Sequence, residues 1–356
     1  MIKKIAIVIC VCMIVMPFTG CTNFDQYKEY LEDYDEFQEY KAYKELLEQT
    51  QTVSQNEQAG ITLEPQVSQG DTSQAPMPPE TTQQTEDSIQ NKTELLNLYF
   101  SQRNEVYTWE NSYEKTMKIN DLDQKILEAG DYSFADDEAL FIGDSVTEGV
   151  GGNLNENGET ISYVEYVNNA LGFKKVLKYG KAGRTMAEYG DPTLSIYSCK
   201  DNLLYINAKI AVVYVGLNDY LTFSEEKRFG KLDSGFTSGY SGTCQAFSYF
   251  LNDLNTNQDF FFVTSYQANY QDTSTYADYD GIPSLNDYME VQRILAERNG
   301  YHLIDLYSSG FMSQVDEDTM TNLFSDGVHP NDTGYRMLGQ HIAAEILLYY
   351  EGISTQ

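Results

Sequence analysis

The chain has 356 residues, with 54 acidic and 23 basic side chains and a formal net charge of −31. Phosphate binding needs a basic face, so this balance argues against nucleic acid as a partner. The length exceeds that of one average domain and leaves room for extra segments around a folded core.

The N-terminus reads as an export signal over residues 1–20. Lys3 and Lys4 precede the apolar run Ile5 to Met16. That run is shorter than the roughly 20 residues a membrane-spanning helix needs. The stretch Pro17-Phe18-Thr19-Gly20-Cys21 resembles a bacterial lipobox, with Phe18 where Leu is usual. The resemblance implies cleavage ahead of Cys21 and lipid on its sulfur. The mature protein would then be anchored to the membrane at the extracellular face of the cytoplasmic membrane. An ordinary cleaved signal or an uncleaved anchor is the alternative. With Cys10, Cys12 and Cys21 accounted for, Cys199 and Cys244 remain. Export permits a disulfide between them, and two free thiols fit equally well. No CxxC or Cys/His pairing points to a metal site.

Residues 21–50 read as a polar helix with an aromatic stripe of Phe24, Tyr27, Tyr30, Tyr34 and Phe37 at helical spacing. Residues 51–92 are rich in Gln, Thr, Ser and Pro and offer little apolar surface against chain entropy, so they read as a disordered linker. Residues 93–133 return to helical periodicity through Leu95, Leu96, Tyr99, Ile119, Leu122 and Ile126. This lead-in ends at Gly130, a candidate C-cap.

From residue 134 to 352 the pattern changes to alternating strands and helices. Apolar runs at 139–143, 175–180, 210–216, 260–265 and 302–307 are separated by amphipathic stretches near 162–172, 240–256, 284–299 and 333–350. Short apolar strands alternating with helices predict an α/β fold, a parallel sheet covered on both faces. In such sheets the site lies beyond the carboxyl ends of the strands.

Candidates for chemistry fall at those ends. Ser145 follows the first strand in "FIGDSVTEG". A serine needs a base to take its proton and a third group to steer that base. The chain has three histidines. His341 lies within the last helix and His302 opens a strand at the far end of the sheet. His329 sits in the polar loop "SDGVHPND", three residues after Asp326, a spacing that brings the carboxylate to the imidazole in one turn. Asp305 is a rival carboxylate at the end of the fifth strand. Oxyanion donors are also needed. Asn218 follows the third strand, and Gly180 and Gly183 lie at and past the end of the second. Asp144 and Glu148 need no catalytic role. Each signal alone also describes an ordinary turn; their joint order is the specific feature.

With these residues in place the chain resembles the SGNH, or GDSL-type, hydrolases. "GDSVTEG", a glycine past strand two, "GLND" and "DGVHP" match the family's blocks I, II, III and V in order, over about residues 137–350. Val146 stands where the motif name has Leu, and Lys178 where block II often begins with Asn. Alignment on "GxxGxT" favours Gly183 over Gly180. The resemblance implies a three-layer α/β/α sandwich with a five-stranded parallel sheet and ester hydrolysis through an acyl-enzyme. It implies Ser145 as nucleophile, His329 as base and Asp326 as its orienter. Ser145 and Gly183 N–H groups and the Asn218 amide would form the oxyanion hole. No cofactor and no metal are implied.

The family acts on acylated sugars, lipids, thioesters and small esters. A tethered, acidic enzyme outside the membrane would meet polysaccharide, so an acylated carbohydrate is the expected substrate and acetate the expected acyl group. Tyr266, Tyr270, Tyr276 and Tyr279 after the fourth strand would offer ring faces to sugars, although 29 tyrosines need no special reason to be there. The alternatives are a lysophospholipase or lipase-like enzyme, an O-acyltransferase, and a non-catalytic surface-binding protein. A histidine base must be neutral to accept a proton, and free imidazole titrates at about 6.5. Ester hydrolysis should therefore rise with pH through an apparent pKa near neutrality. A rate profile that stays flat from about pH 5 to about pH 8 would count against a histidine base.

Overall fold

The computed structural model describes residues 92–102, 111–187, 192–199, 206, 208–221, 258–268 and 285–353. The expected signal peptide, striped helix and, up to residue 91, the linker lie outside these residues, as do Cys21, Cys244 and the 240–256 helix; residue 92 begins a helix.

In chain order, helix α1 (92–102) and helix α2 (Ser112–Ala129) precede strand β1 (Glu138–Gly143). Short helix α3 (Ser145–Glu148) and helix α4 (Tyr163–Leu171) lead to β2 (Lys175–Gly180). Strand β3 (Ile210–Tyr214) runs into helix α5 (Leu217–Leu221), and β4 (Asp259–Val263) is followed by α6 (Leu285–Asn299). Strand β5 (His302–Ile304), helices α7 (Leu306–Ser309) and α8 (Glu317–Leu323) and the long α9 (Asp332–Tyr350) complete the order.

The five strands pair in parallel in the order β2-β1-β3-β4-β5. Chain order reverses between β1 and β3, so the crevice beyond their carboxyl ends is the topological switch point. Both strands are apolar at every position that must be covered, because helices lie on both faces of the sheet. Ala139 and Phe141 of β1, with Ile210, Val212 and Tyr214 of β3, pack with α2, α4 and α9. Leu140 and Ile142, with Ala211 and Val213, point the other way, into the cluster with α6. Fully burying each large apolar side chain contributes about 1.5–3 kcal/mol.

Two sequence expectations are refined here. The apolar run at 302–307 divides into β5 and α7, because Asp305 caps α7 by accepting from the Ser308 N–H. Gly130 ends α2 in an extended conformation (φ −74°, ψ 143°) and not in a left-handed cap. Its requirement is close packing: a Cβ there would lie 2.3 Å from Leu347 Cδ2 of α9.

Gly180, the last residue of β2, faces a similar constraint. A Cβ on it would stand 2.2 Å from the Glu148 backbone nitrogen at the end of α3. Backbone cannot retreat as a flexible side chain can, so Gly180→Ala should cost about 1–3 kcal/mol or more by overpacking. Thermal unfolding measures this. A melting temperature unchanged from the native chain would show that α3 shifts freely, against this packing account.

Candidate active site

Ser145 is the first residue of α3, directly beyond β1. The tight entry is made by Asp144, whose carboxylate accepts from the Val146 N–H at 2.9 Å and caps the helix. Ser145 is 9% exposed, so its hydroxyl sits at the floor of the crevice.

The loop between α8 and α9 brings His329 to it. The distance from His329 Nε2 to Ser145 Oγ is 2.9 Å. The other ring nitrogen, Nδ1, lies 2.8 Å from Asp326 Oδ2. The Asp326 Oδ1 atom accepts two backbone N–H groups, from Val328 at 3.0 Å and His329 at 2.8 Å. One carboxylate therefore shapes the turn and orients the ring together. Burial alone would raise the Asp326 pKa, but the His329 N–H, the His329 ring and the Val328 N–H outweigh it and hold it below the usual carboxylate range. Asp326 thus stays ionised where a base must be steered.

The segment after β2 lies against α3, the helix that begins at Ser145. Gly183 has φ +77°, a left-handed conformation that a residue with a Cβ rarely adopts. Three side chains clasp this segment. Asn218 Nδ2 donates to Arg184 O at 3.0 Å. Asp219, fully buried, accepts from Met186 N at 2.8 Å and Ala187 N at 3.1 Å. Glu148 accepts from Ala182 N at 2.6 Å. Among the described residues neither the Ser145 N–H nor the Gly183 N–H donates a hydrogen bond. Such donors are what a developing oxyanion requires.

The arrangement sets a serine hydroxyl, an imidazole and a carboxylate in one hydrogen-bonded line, the geometry that a nucleophile, a base and its orienter require. The GDSL-like Lipase/Acylhydrolase family matches residues 141–337, more than half of the chain. The chain belongs to this family. It is an ester hydrolase. No curated relative matches it. Among solved structures it is similar to a possible lipase from Chitinophaga pinensis, at 18% identity and TM-score 0.46, covering 62% of this chain and all of that one. It is also similar to an aryl esterase of M. smegmatis, at 18% identity and TM-score 0.41, over 59% of this chain and 98% of that one. An acetyl xylan esterase gives 22% identity and TM-score 0.41, over 58% of this chain and 97% of that one.

The remaining sequence expectations sort plainly within this GDSL-like hydrolase. The structure brings Ser145, His329 and Asp326 together, while Gly183 lies in the segment that Glu148 of α3 and Asn218 hold. Asp305 is occupied elsewhere, in an ion pair of 2.6 Å with Arg293, which keeps its carboxyl below the ordinary range despite burial. His341 is buried against Asp123, and His302 opens β5 with its ring against Tyr349. Tyr266 corrects an expectation. It is fully buried, edge-on to Phe324, and its hydroxyl donates to Val328 O, so it offers no ring face to a sugar. The strand end turns inward there because Tyr266 and Ala268 join the two cores. Tyr270, Tyr276 and Tyr279 lie outside the described residues. Among the described residues no group of His, Cys, Asp and Glu could hold a metal ion. Asp219 and Glu148 are the supporting residues that sequence reasoning left without a task. Asp219 had a signal, its place in "GLND"; Glu148 had none, because its partner is 34 residues away.

Asp144 is the buried carboxyl of the site. Burial pushes its pKa up from 3.8 to about 7, against the Val146 N–H, which lowers it. The unfolded chain releases this proton near 3.8, the folded chain near 7. The folded state thus binds more protons between those values, and its stability falls as pH rises through them. Asp144→Asn keeps an oxygen for the Val146 N–H and removes the ionisation. Its stability relative to the native chain should climb between about pH 4 and about pH 7, then level off, at about 1.4 kcal/mol per pKa unit. Denaturant unfolding at several pH values checks this. A difference that does not vary with pH would remove the buried-charge account.

Proposed function

We propose that this chain is an extracytoplasmic serine esterase that removes O-acyl groups, acetyl above all, from carbohydrate. The observation that carries the mechanism is the line Ser145 Oγ–His329 Nε2–Asp326, with contacts of 2.9 and 2.8 Å. Ser145 Oγ attacks the ester carbonyl as His329 Nε2 takes its proton. Asp326 holds the ring and stabilises the imidazolium. Charge on the carbonyl oxygen is met by the Ser145 and Gly183 N–H groups and the Asn218 amide. The imidazolium protonates the departing alkoxide, leaving an acyl-enzyme. Water, deprotonated by His329, then releases the acid and restores Ser145.

Two features support a short acyl group on a polar carrier. A long acyl chain needs a continuous apolar surface to offset its transfer from lipid or micelle. The exposed large apolar side chains among the described residues are Leu98, Met117, Leu154 and Val315, and Leu154 alone lies in the loop that follows the nucleophile. The N-terminal sequence supports the location: a lipid on Cys21 would leave the hydrolase outside the membrane, where it would meet polysaccharide.

Ser145→Ala should lower ester hydrolysis by at least about 10³-fold without lowering the melting temperature. Acetate should be released from acetylated polysaccharide, and p-nitrophenyl acetate should be preferred over esters of eight or more carbons. Retained activity in the alanine variant would overturn the serine mechanism. A preference for long chains would overturn the acetyl esterase reading and favour a lipase-like one.

A further inference from the structure

Helix α2 ends twelve residues before the family match begins at residue 141, yet it is bound to the active-site loop by a continuous hydrogen-bonded path. The path starts at the turn between α7 and α8. Ser112 Oγ donates to Gly310 O at 2.9 Å and accepts from Ser313 N at 2.9 Å. Thr116 Oγ1 accepts from Met312 N at 2.9 Å. Asp316 Oδ2 accepts from Tyr113 N at 2.7 Å. Ser112 and Thr116 are both fully buried, so these bonds are made away from water.

Met312 is the non-glycine residue that adopts a left-handed conformation among the described residues, with φ 55°. That conformation is sparsely populated for a residue with a Cβ and persists where surrounding contacts over-determine it. Here two backbone N–H groups of the turn, at Met312 and Ser313, are held by Thr116 and Ser112 of α2. Two residues on, the Gln314 N–H donates to Gln267 O at 2.8 Å, and Gln314 Nε2 donates to Val328 O at 3.2 Å. The Tyr266 hydroxyl donates to the same carbonyl. Val328 immediately precedes His329.

We infer that α2 is a positioning element of the hydrolase: Ser112 and Thr116 hold the strained turn at Met312, which seats Gln314 on the Val328 carbonyl and so sets His329 against Ser145. Thr116 and Gln314 are positioning residues, acting through the backbone of the histidine loop. The inference rests on the reading of His329 as the base.

Four variants test it, each assayed with p-nitrophenyl acetate and by thermal unfolding. Thr116→Val keeps the shape and removes the acceptor for Met312 N. It should lower kcat on the order of ten-fold, with KM within about two-fold, because substrate binding is not touched. Thr116→Ser keeps the hydroxyl and should restore most of the rate. Gln314→Met removes the donor to Val328 O and should mimic Thr116→Val. Asn120→Ala removes a bond from α2 to Gln340 of α9 that does not reach the turn, and should lower the melting temperature with kcat unchanged. Hydrogen exchange at the His329 amide, bonded to Asp326 in the native chain, should accelerate in Thr116→Val and Gln314→Met and not in Asn120→Ala. Unchanged kcat and exchange in Thr116→Val would overturn the relay. Losses in Asn120→Ala equal to those in Thr116→Val would reduce α2 to general stability and also overturn it. Ser145→Ala separates the two readings: if it stays active the serine mechanism fails, and exchange at His329 still decides the relay.

Discussion

The 2.9 Å contact between Ser145 Oγ and His329 Nε2 joins residues 184 positions apart, and a serine hydroxyl is a poor nucleophile without it. Both ends of that contact must be held within a few tenths of an ångström, although neither lies in a long regular element. On the serine side the constraint is met by a strand paired on both sides. Strand β1 pairs with β2 on one side and β3 on the other, and Asp144 fixes the turn that follows. On the histidine side the loop is ordered from within by Asp326 and from behind by Tyr266 and Gln314.

The same logic extends to the donors. The segment after β2 carries Gly183 in a left-handed conformation, and its backbone is gripped by Asn218, Asp219 and Glu148. Asn218 and Asp219 are neighbours on α5, so one short helix after β3 fixes the loop after β2 across the switch point. Glu148 does the same from α3, the helix that carries Ser145. Ser145, the loop after β2 and Asn218 are thus mechanically one unit. Such preorganisation is what makes fixed dipoles effective against developing charge.

Two aspartates near the serine live in opposite environments. Asp144 is buried, and loss of water raises its pKa to about 7. Asp326 is half exposed, and three N–H contacts lower its pKa. The buried one caps a turn; the other holds the His329 ring. Separate environments for like groups are the usual way a site divides roles between carboxyls.

The sequence by itself determined the alternation of strands and helices, because short apolar runs separated by amphipathic stretches at regular intervals fit a parallel sheet covered on both faces. It also determined Ser145, Asp326, His329, Asn218 and the pair Gly180 and Gly183 as candidates, since local spacing and position after a strand are one-dimensional properties; the choice of Gly183 came from the family resemblance. The path from α2 to His329 was not legible, because its links join residues about 200 positions apart through hydroxyls and backbone that carry no pattern. Tyr266 shows the same limit: a tyrosine after a strand reads alike whether it faces a ligand or a carbonyl behind the base. Only tertiary packing decided that it is buried, because which side of a chain is covered depends on elements far away in sequence.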